Sequence, residues 1–510
     1  ELSLPSIWYE IQLVTPNSNT YGVSLPGSPF VIIGFNDSIA WGVTNSQRDV
    51  KDYYEIKFRD KSKEEYWFNG QWTKSTRRVE EIKVKGGKTV YDTVAYTVFG
   101  PVMYDESFHG ADSAGQGRNL AVRWTAHDPS NEGLTFYKLN RAKNYDEYAE
   151  ALKTFTCPGQ NFVFASKSGD IAIWQQGKFP ARWDRQGLYV MPGEDSSFMW
   201  QGFIPQQENP HAKNPARGFL ESANQRPADS TYPYFIPGSY ITPRGITIEN
   251  ILGAMSAIAV SDMMKMHGNY FNTLAEDVRG ILLKYVKEDE LSASEKKYLE
   301  IFKAWDLYAS PDSKGQTVYQ CWWDSLEVEI WKDDITRVHP QAPWPEEQTT
   351  MEILKRDSAF KFIDNINTPE KETLYDVVTA ALKKASVNLA EKEAAGKLEW
   401  SKFKNPTVYH LIKDLKGFAR AGLPVGGNGN IINAVTHSHG PSWRMIVHMT
   451  TPTEAYGIYP GGQSCNPGSK FYDNYIDSWV EGKYNKLWFM RDGDRTDKGV
   501  KWVMKFTGKI

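Results

Sequence analysis

The period of the apolar residues changes twice along the chain, and this limits the fold more than any single motif does. From Trp8 to about Val102, short runs alternate apolar and polar residues as strands do: "YEIQLV", "YGVSLPG", "FVIIGFN" and "IAWGVTN", separated by Asn, Gly, Pro and Ser. "YWFNGQW" sets Asn69-Gly70 between aromatic runs, a strong hairpin signal, and "TVAYTVFGPVM" continues the sheet. Residues 133–156 carry i, i+3, i+4 apolar spacing and read as helix. Strands resume in "QNFVFASKSGDIAIWQQG", with Ser168-Gly169-Asp170 as the turn. From Thr247 the spacing is helical through residue 286, and again near 294–309, 319–332, 351–364 and 370–395. After Gly422 it returns to β in "GGNGNIINAV", "SWRMIVHMT" and "EAYGIYPGG". The order predicts a layered α+β body whose first and last segments share sheets, with a helical portion between them. The segments read as 1–245, 246–420 and 421–510.

With 59 basic and 62 acidic residues the net charge is −3, which gives no electrostatic reason to expect nucleic acid or an anionic membrane as partner. The 18 Trp, 27 Tyr and 24 Phe suit a large core and aromatic-lined clefts, for sugar or aryl ligands alike. Cys157, Cys321 and Cys465 lie far apart, so a zinc ribbon or a thioredoxin-like motif is excluded. The longest clean apolar stretch, "FVIIGF", is too short to cross a bilayer.

Familiar catalytic devices are absent: there is no G-x-S-x-G elbow, no H-E-x-x-H and no P-loop. "VGGNGNII" lacks the third glycine of a dinucleotide fingerprint, at Ile432, and reads as a turn. His437 and His439 could share a strand face as metal ligands, but no Cys or carboxylate stands nearby at ligand spacing, which favours a structural role. In "WGVTNSQRDVKDYYE", Asp49, Asp52 and the backbone carbonyl of Lys51 offer hard oxygens suited to Ca²⁺, though a solvated acidic turn explains them as well. Asn45 at a strand end and Asn224 in "ESANQRP" have loop roles as their default.

The order of these pieces carries more than each alone. "LPSIWYE", "PGSPFVIIGFNDSIAWGVTNSQRDVKDYYE", "QNFVFASKSGDIAIWQQGKFPAR", "ANQRP", "HGPSWRMIV" and "YPGGQSCNPGSKFYDNYIDSWVEGKY" follow one another from the first residues to nearly the last. In this the chain resembles the β subunit of the penicillin acylase (penicillin amidase) family of N-terminal-nucleophile (Ntn) hydrolases. The resemblance implies an α+β fold, the four-layer αββα sandwich of those hydrolases, with a large helical insertion. It implies autocatalytic processing of a precursor, an α subunit as partner, and a periplasmic or secreted location.

The family cuts amide bonds with an N-terminal Ser whose own α-amino group serves as base. The resemblance places that Ser about two dozen residues ahead of the "LPSIWYE" block, upstream of Glu1. Carried over by position, the oxyanion donors would be the backbone N–H of Asn45 and the side-chain amide of Asn224. Arg244 in "ITPRGIT" matches an Arg that braces the site. Ile33, Val43, Gln160 and Phe162 match the acyl pocket and favour an aliphatic, chain-like acyl group. Asp49, the Lys51 carbonyl, Asp52 and the Pro180 carbonyl match a structural calcium site, although "YPYFIPGSY" lacks the acid that completes it in relatives. Cys465 stands where relatives often have Gly, which would strain it if that turn requires positive φ. The expected activity is hydrolysis of a linear amide: a β-lactam side chain, an N-acyl homoserine lactone or another N-acyl compound. The alternative is a non-catalytic ligand-binding or scaffold fragment of the same fold.

Overall fold

A computed structural model describes residues 2–108, 117–338, 342–491 and 494–508. Two units gather most of the contacts, one made of residues 13–20 and 30–241, the other of 1–12, 21–29 and 242–510. The break at 241/242 falls beside the change of apolar period, and segments 246–420 and 421–510 lie in the same unit.

In the 30–241 unit, one sheet runs in the order His211–Lys213, Ile171–Gln176, Gln160–Ser166, Ile39–Asn45, Ile33–Asn36, each strand antiparallel to its neighbour. Register assigns the faces. Val43 lies opposite Phe162 and Asn45 opposite Gln160, so these four share one face; Gly42, Thr44, Val163 and Asn161 share the other. The first face is covered by aromatic packing. Tyr148, from the Tyr145–Leu152 helix, donates its hydroxyl to the Phe162 carbonyl at 2.8 Å, and Phe155 meets the Phe162 ring edge-on at 4.9 Å. The helix read over 133–156 is two helices, Glu132–Leu139 and Tyr145–Leu152, because Asn144 adopts extended backbone and caps the second through Glu147 N–H. A second sheet of six strands contains Lys51–Glu55, paired antiparallel to Leu120–Trp124 and parallel to Met191–Pro192. The Asn69-Gly70 hairpin forms as expected, with φ of 49° and 80° at its two turn residues.

The other unit is built on the Lys314–Val338 helix, which packs against Leu374–Ala394 and Ala293–Lys303. Trp322, Trp323, Leu326 and Ile330 on that helix are fully buried. Each large apolar side chain buried there contributes about 2–3 kcal/mol of transfer free energy. The 247–286 run breaks into Pro243–Ala254, Val260–His267 and Thr273–Tyr285, with Ala257 at φ 50° and Asn272 capping the last. Among the described residues no helix is long and apolar enough to cross a membrane.

Two expectations are corrected here. Among the described residues the strands beyond residue 421, Arg444–His448, Glu454–Ile458 and Asn485–Lys486, make a sheet of their own, because strands consecutive in sequence tend to pair with each other first. Ser3–Leu4 pairs in parallel with Tyr409–His410 instead. "GGNGNIINAV" forms no strand. At φ 84° Gly427 turns the chain back so closely that a Cβ would strike the Asn433 carbonyl, and the ammonium of Lys404 gathers the carbonyls of Gly426, Gly427 and Val435 at 2.9, 2.8 and 2.7 Å.

Candidate active site

Asn45 ends its strand with a side-chain turn, its Oδ1 accepting from Gln47 N–H at 2.9 Å. The next amide, Ser46 N–H, points toward the neighbouring strand and reaches the Gly159 carbonyl at 3.2 Å. Backbone amides alternate sides along a strand, so Asn45 N–H points the other way, toward the Ile33–Asn36 flank. Among the described residues that ladder reaches only as far as Gly34 opposite Trp41. The Asn45 amide therefore faces a place where the sheet offers no partner.

Asn224 comes to the same place from the 221–227 loop. It adopts φ 69°, a left-handed conformation that Asn tolerates, and its Nδ2 donates to the Asn45 carbonyl at 2.7 Å. Two further bonds hold the loop: Ser222 Oγ to Thr44 Oγ1 at 2.7 Å, and Ile241 N–H to the Asn224 carbonyl at 3.1 Å. A backbone N–H and a carboxamide thus converge at one strand end. Two donors of this kind are what a developing oxyanion needs.

The acyl-pocket candidates separate. Val43, Gln160 and Phe162 share a face with Asn45, but Phe162 is fully buried beneath Phe155. Ile33 lies on the opposite face, since Gly34 is paired with Trp41 and side chains alternate. Arg244 belongs to the other unit, in the first turn of the Pro243–Ala254 helix, where burial draws its guanidinium below the usual range.

The acidic segment holds a residue whose part was not foreseen. Arg182 is fully buried and bridges both carboxylates, Nη1 to Asp49 Oδ2 at 3.3 Å and Nη2 to Asp52 Oδ2 at 3.1 Å. Trp200 Nε1 also donates to Asp52 Oδ2, and Lys51 N–H to Asp49 Oδ1 at 3.0 Å. Burial raises the Asp52 carboxyl above its ordinary range, with Arg182 and Trp200 opposing that shift. Asp52 Oδ1 is buried with no hydrogen-bond partner, and a Cβ at Gly187 would strike it. An orphaned carboxylate oxygen of this kind fits a hard cation. No three His, Cys, Asp or Glu side chains gather as a metal site among the described residues. His437 spends both ring nitrogens on protein, Nδ1 against the Asn405 carbonyl at 2.8 Å and Nε2 against Tyr409 hydroxyl at 2.6 Å. Cys465 is exposed and its φ is not positive, so the anticipated strain is absent.

Comparison with known proteins covers nearly the whole chain. The family model described as penicillin amidase matches residues 1–495. The acyl-homoserine lactone acylase QuiP of Pseudomonas syringae pv. syringae is 26% identical over 95% of this chain and 62% of its own length. Escherichia coli penicillin G acylase is 27% identical over 41% of this chain and 25% of its own. The chain thus spans 62% of the length of the first curated relative. Among solved structures, a thermostable penicillin G acylase from Alcaligenes faecalis superposes with a TM-score of 0.73 over 100% of this chain and 96% of its own, at 19% identity.

Proposed function

The chain belongs to the penicillin amidase family, and on that premise we propose that the protein is an acylase that hydrolyses the amide bond of N-acyl compounds. Its fold is the α+β fold of the Ntn hydrolases, shared with the Alcaligenes faecalis enzyme. The observation that carries the proposal is the convergence of Asn224 Nδ2 on Asn45, at 2.7 Å from its carbonyl, beside a backbone N–H turned toward the flank where the strand pairing has ended.

In the proposed mechanism an N-terminal Ser, expected upstream of Glu1, attacks the amide carbonyl while its own α-amino group takes the proton. The substrate oxygen gains negative charge. Asn45 N–H and the Asn224 carboxamide bind it there, and each such donor is worth about 3–4 kcal/mol of barrier. Collapse of the tetrahedral adduct expels the amine, which takes up the proton held by the α-amino group, and leaves an acyl-enzyme, which water hydrolyses over the same two donors. Among substrates we favour N-acyl homoserine lactones. Val43 is a branched aliphatic residue on the face that carries Asn45, and several matched relatives are named acyl-homoserine lactone acylases. Calcium would be held by Asp52, Asp49 and the carbonyls of Lys51 and Pro180, supplying charge neutralisation and no chemistry. An α subunit from the same precursor and export to the periplasm complete the proposal.

The test is a substrate panel on the full-length protein: N-acyl homoserine lactones of graded chain length, penicillin G and penicillin V, with amine release followed by chromatography. Release from the lactone series is expected. Release from none, together with ligand binding, would instead support a non-catalytic scaffold.

A further inference from the structure

Behind the Asn45–Asn224 contact runs a line of buried polar side chains. Arg48, Gln175 and Asn161 are 8%, 2% and 5% exposed. Asn161 lies opposite Gln175 on one neighbouring strand and opposite Thr44 on the other, so these three share the face away from Phe162. Three apolar residues at such positions would bury themselves without cost, whereas polar ones persist only when hydrogen-bonded. They are bonded, and always in the same direction. Arg48 Nη1 donates to Gln175 Oε1, Gln175 Nε2 to Asn161 Oδ1, and Asn161 Nδ2 to the Asn45 carbonyl, each at 3.3 Å. Side bonds brace the line: Gln175 Nε2 to the Ser46 carbonyl at 3.3 Å and Asn161 Nδ2 to Thr44 Oγ1 at 3.2 Å. At its head the Arg48 guanidinium stacks on Phe179 at 4.3 Å and meets the Tyr232 hydroxyl, and among the described residues no carboxylate pairs with it. Burial draws its pKa down, yet a guanidinium remains charged.

We propose that Asn161, backed by Gln175 and Arg48, is a positioning residue for the Asn224 oxyanion donor, acting through the Asn45 carbonyl. This rests on the reading of Asn45 and Asn224 as oxyanion donors. The Asn45 carbonyl has two lone pairs, one taken by the Asn224 carboxamide and one by Asn161. Asn161 fixes the peptide from which Asn224 takes its orientation. A buried cation at the far end aligns each amide dipole in turn, and aligned hydrogen bonds strengthen one another. Without Asn161 the Asn45 carbonyl keeps Asn224 as its side-chain donor but loses the brace opposite it, and a displacement of a fraction of an ångström there costs rate.

The experiment uses the full-length protein, with Asn161→Leu and Gln175→Met made alone and together with Asn224→Ala. The readouts are kcat, KM and Tm on an N-acyl homoserine lactone or any N-acyl amide that the wild type turns over. Asn161→Leu is expected to lower kcat about 10- to 100-fold with KM within about 3-fold, since misplacing catalytic groups by about 1 Å costs that much. Gln175→Met should cost several-fold in kcat, and it carries the same test should Asn161→Leu not fold. In the Asn224→Ala background both effects should shrink to within about 2-fold, because residues acting through one group are not additive. A loss confined to KM, an unchanged kcat in both variants, or full additivity with Asn224→Ala overturns the positioning role while leaving the acylase proposal intact. A wild type that turns over no amide removes the acylase proposal and this one with it.

Discussion

Asn224 reaches across 179 residues of sequence to place its side-chain amide 2.7 Å from the carbonyl of Asn45. Neither residue looks catalytic locally: one ends a strand with an Asx turn, and the other sits in a loop at positive φ. Their chemistry is a property of the pair.

Arg182 joins Asp49, at the foot of the Asn45 segment, to the buried Asp52. Arg182→Met keeps the bulk but leaves a buried carboxylate without its counter-charge, a change that costs about 3–5 kcal/mol. Urea unfolding of the purified protein should show a lowered midpoint of that size. A midpoint within error of wild type would show that water reaches Asp52 freely.

Calcium tests the orphaned Asp52 Oδ1. Millimolar Ca²⁺ is expected to raise Tm after chelator treatment, since a ligand bound only by the folded state stabilises it by mass action. Asp52→Asn should abolish that rise and Asp49→Asn should reduce it. A Tm indifferent to calcium in the wild type would leave Arg182 as the resident cation of the segment.

Stability should fall on the alkaline side, for a reason seated far from Asn45 in the sequence. Glu327, on the Lys314–Val338 helix, is pushed up to about 8 by burial first and then by the charges of Glu347 and Asp324. Glu347 is pushed up to about 7 by burial and by Asp324. The surrounding partners are neutral: Thr350 Oγ1 donates to Glu327 at 3.4 Å and Asn430 Nδ2 to Glu347 at 2.8 Å. An unfolded Glu titrates near 4.3, so both folded values are raised, and their contribution is complete below about pH 4.3 and lost as pH rises through about 7–8. Tm measured across that window should decline, and Glu327→Gln should flatten the decline. A Tm rising from pH 6 to 9 would contradict the assignment.

Much of the architecture was legible because it is local. Asn69-Gly70 dictates a hairpin whatever surrounds it, and the apolar spacing of 370–395 is nearly the helix Leu374–Ala394. In 133–156, where spacing misled, a single polar residue was responsible: Asn144 restarts a helix that the apolar pattern carries through. The site was less legible. Asn45 and Asn224 came from the resemblance, while their own neighbourhoods suggest only turns. Arg182 stands in the plain text "KFPAR", but its partner Asp49 is 133 residues away and nothing local names it. Gln160 was singled out while its neighbour Asn161 was not, although alternation turns Asn161 to the other face, against the Asn45 carbonyl. One signal was available: an Asn and a Gln at interior positions of "QNFVFAS" and "IAIWQQ", where the strand pattern calls for apolar residues.

The most direct test of the two-donor site is the kcat of Asn224→Ala in the full-length protein, on the best N-acyl amide found for the wild type. Losing one oxyanion donor lowers kcat about 100- to 1,000-fold, with Tm and KM little changed. A kcat equal to that of the wild type would contradict the assignment, and Asn224 would then be a loop residue that does no more than tie its strand end in place.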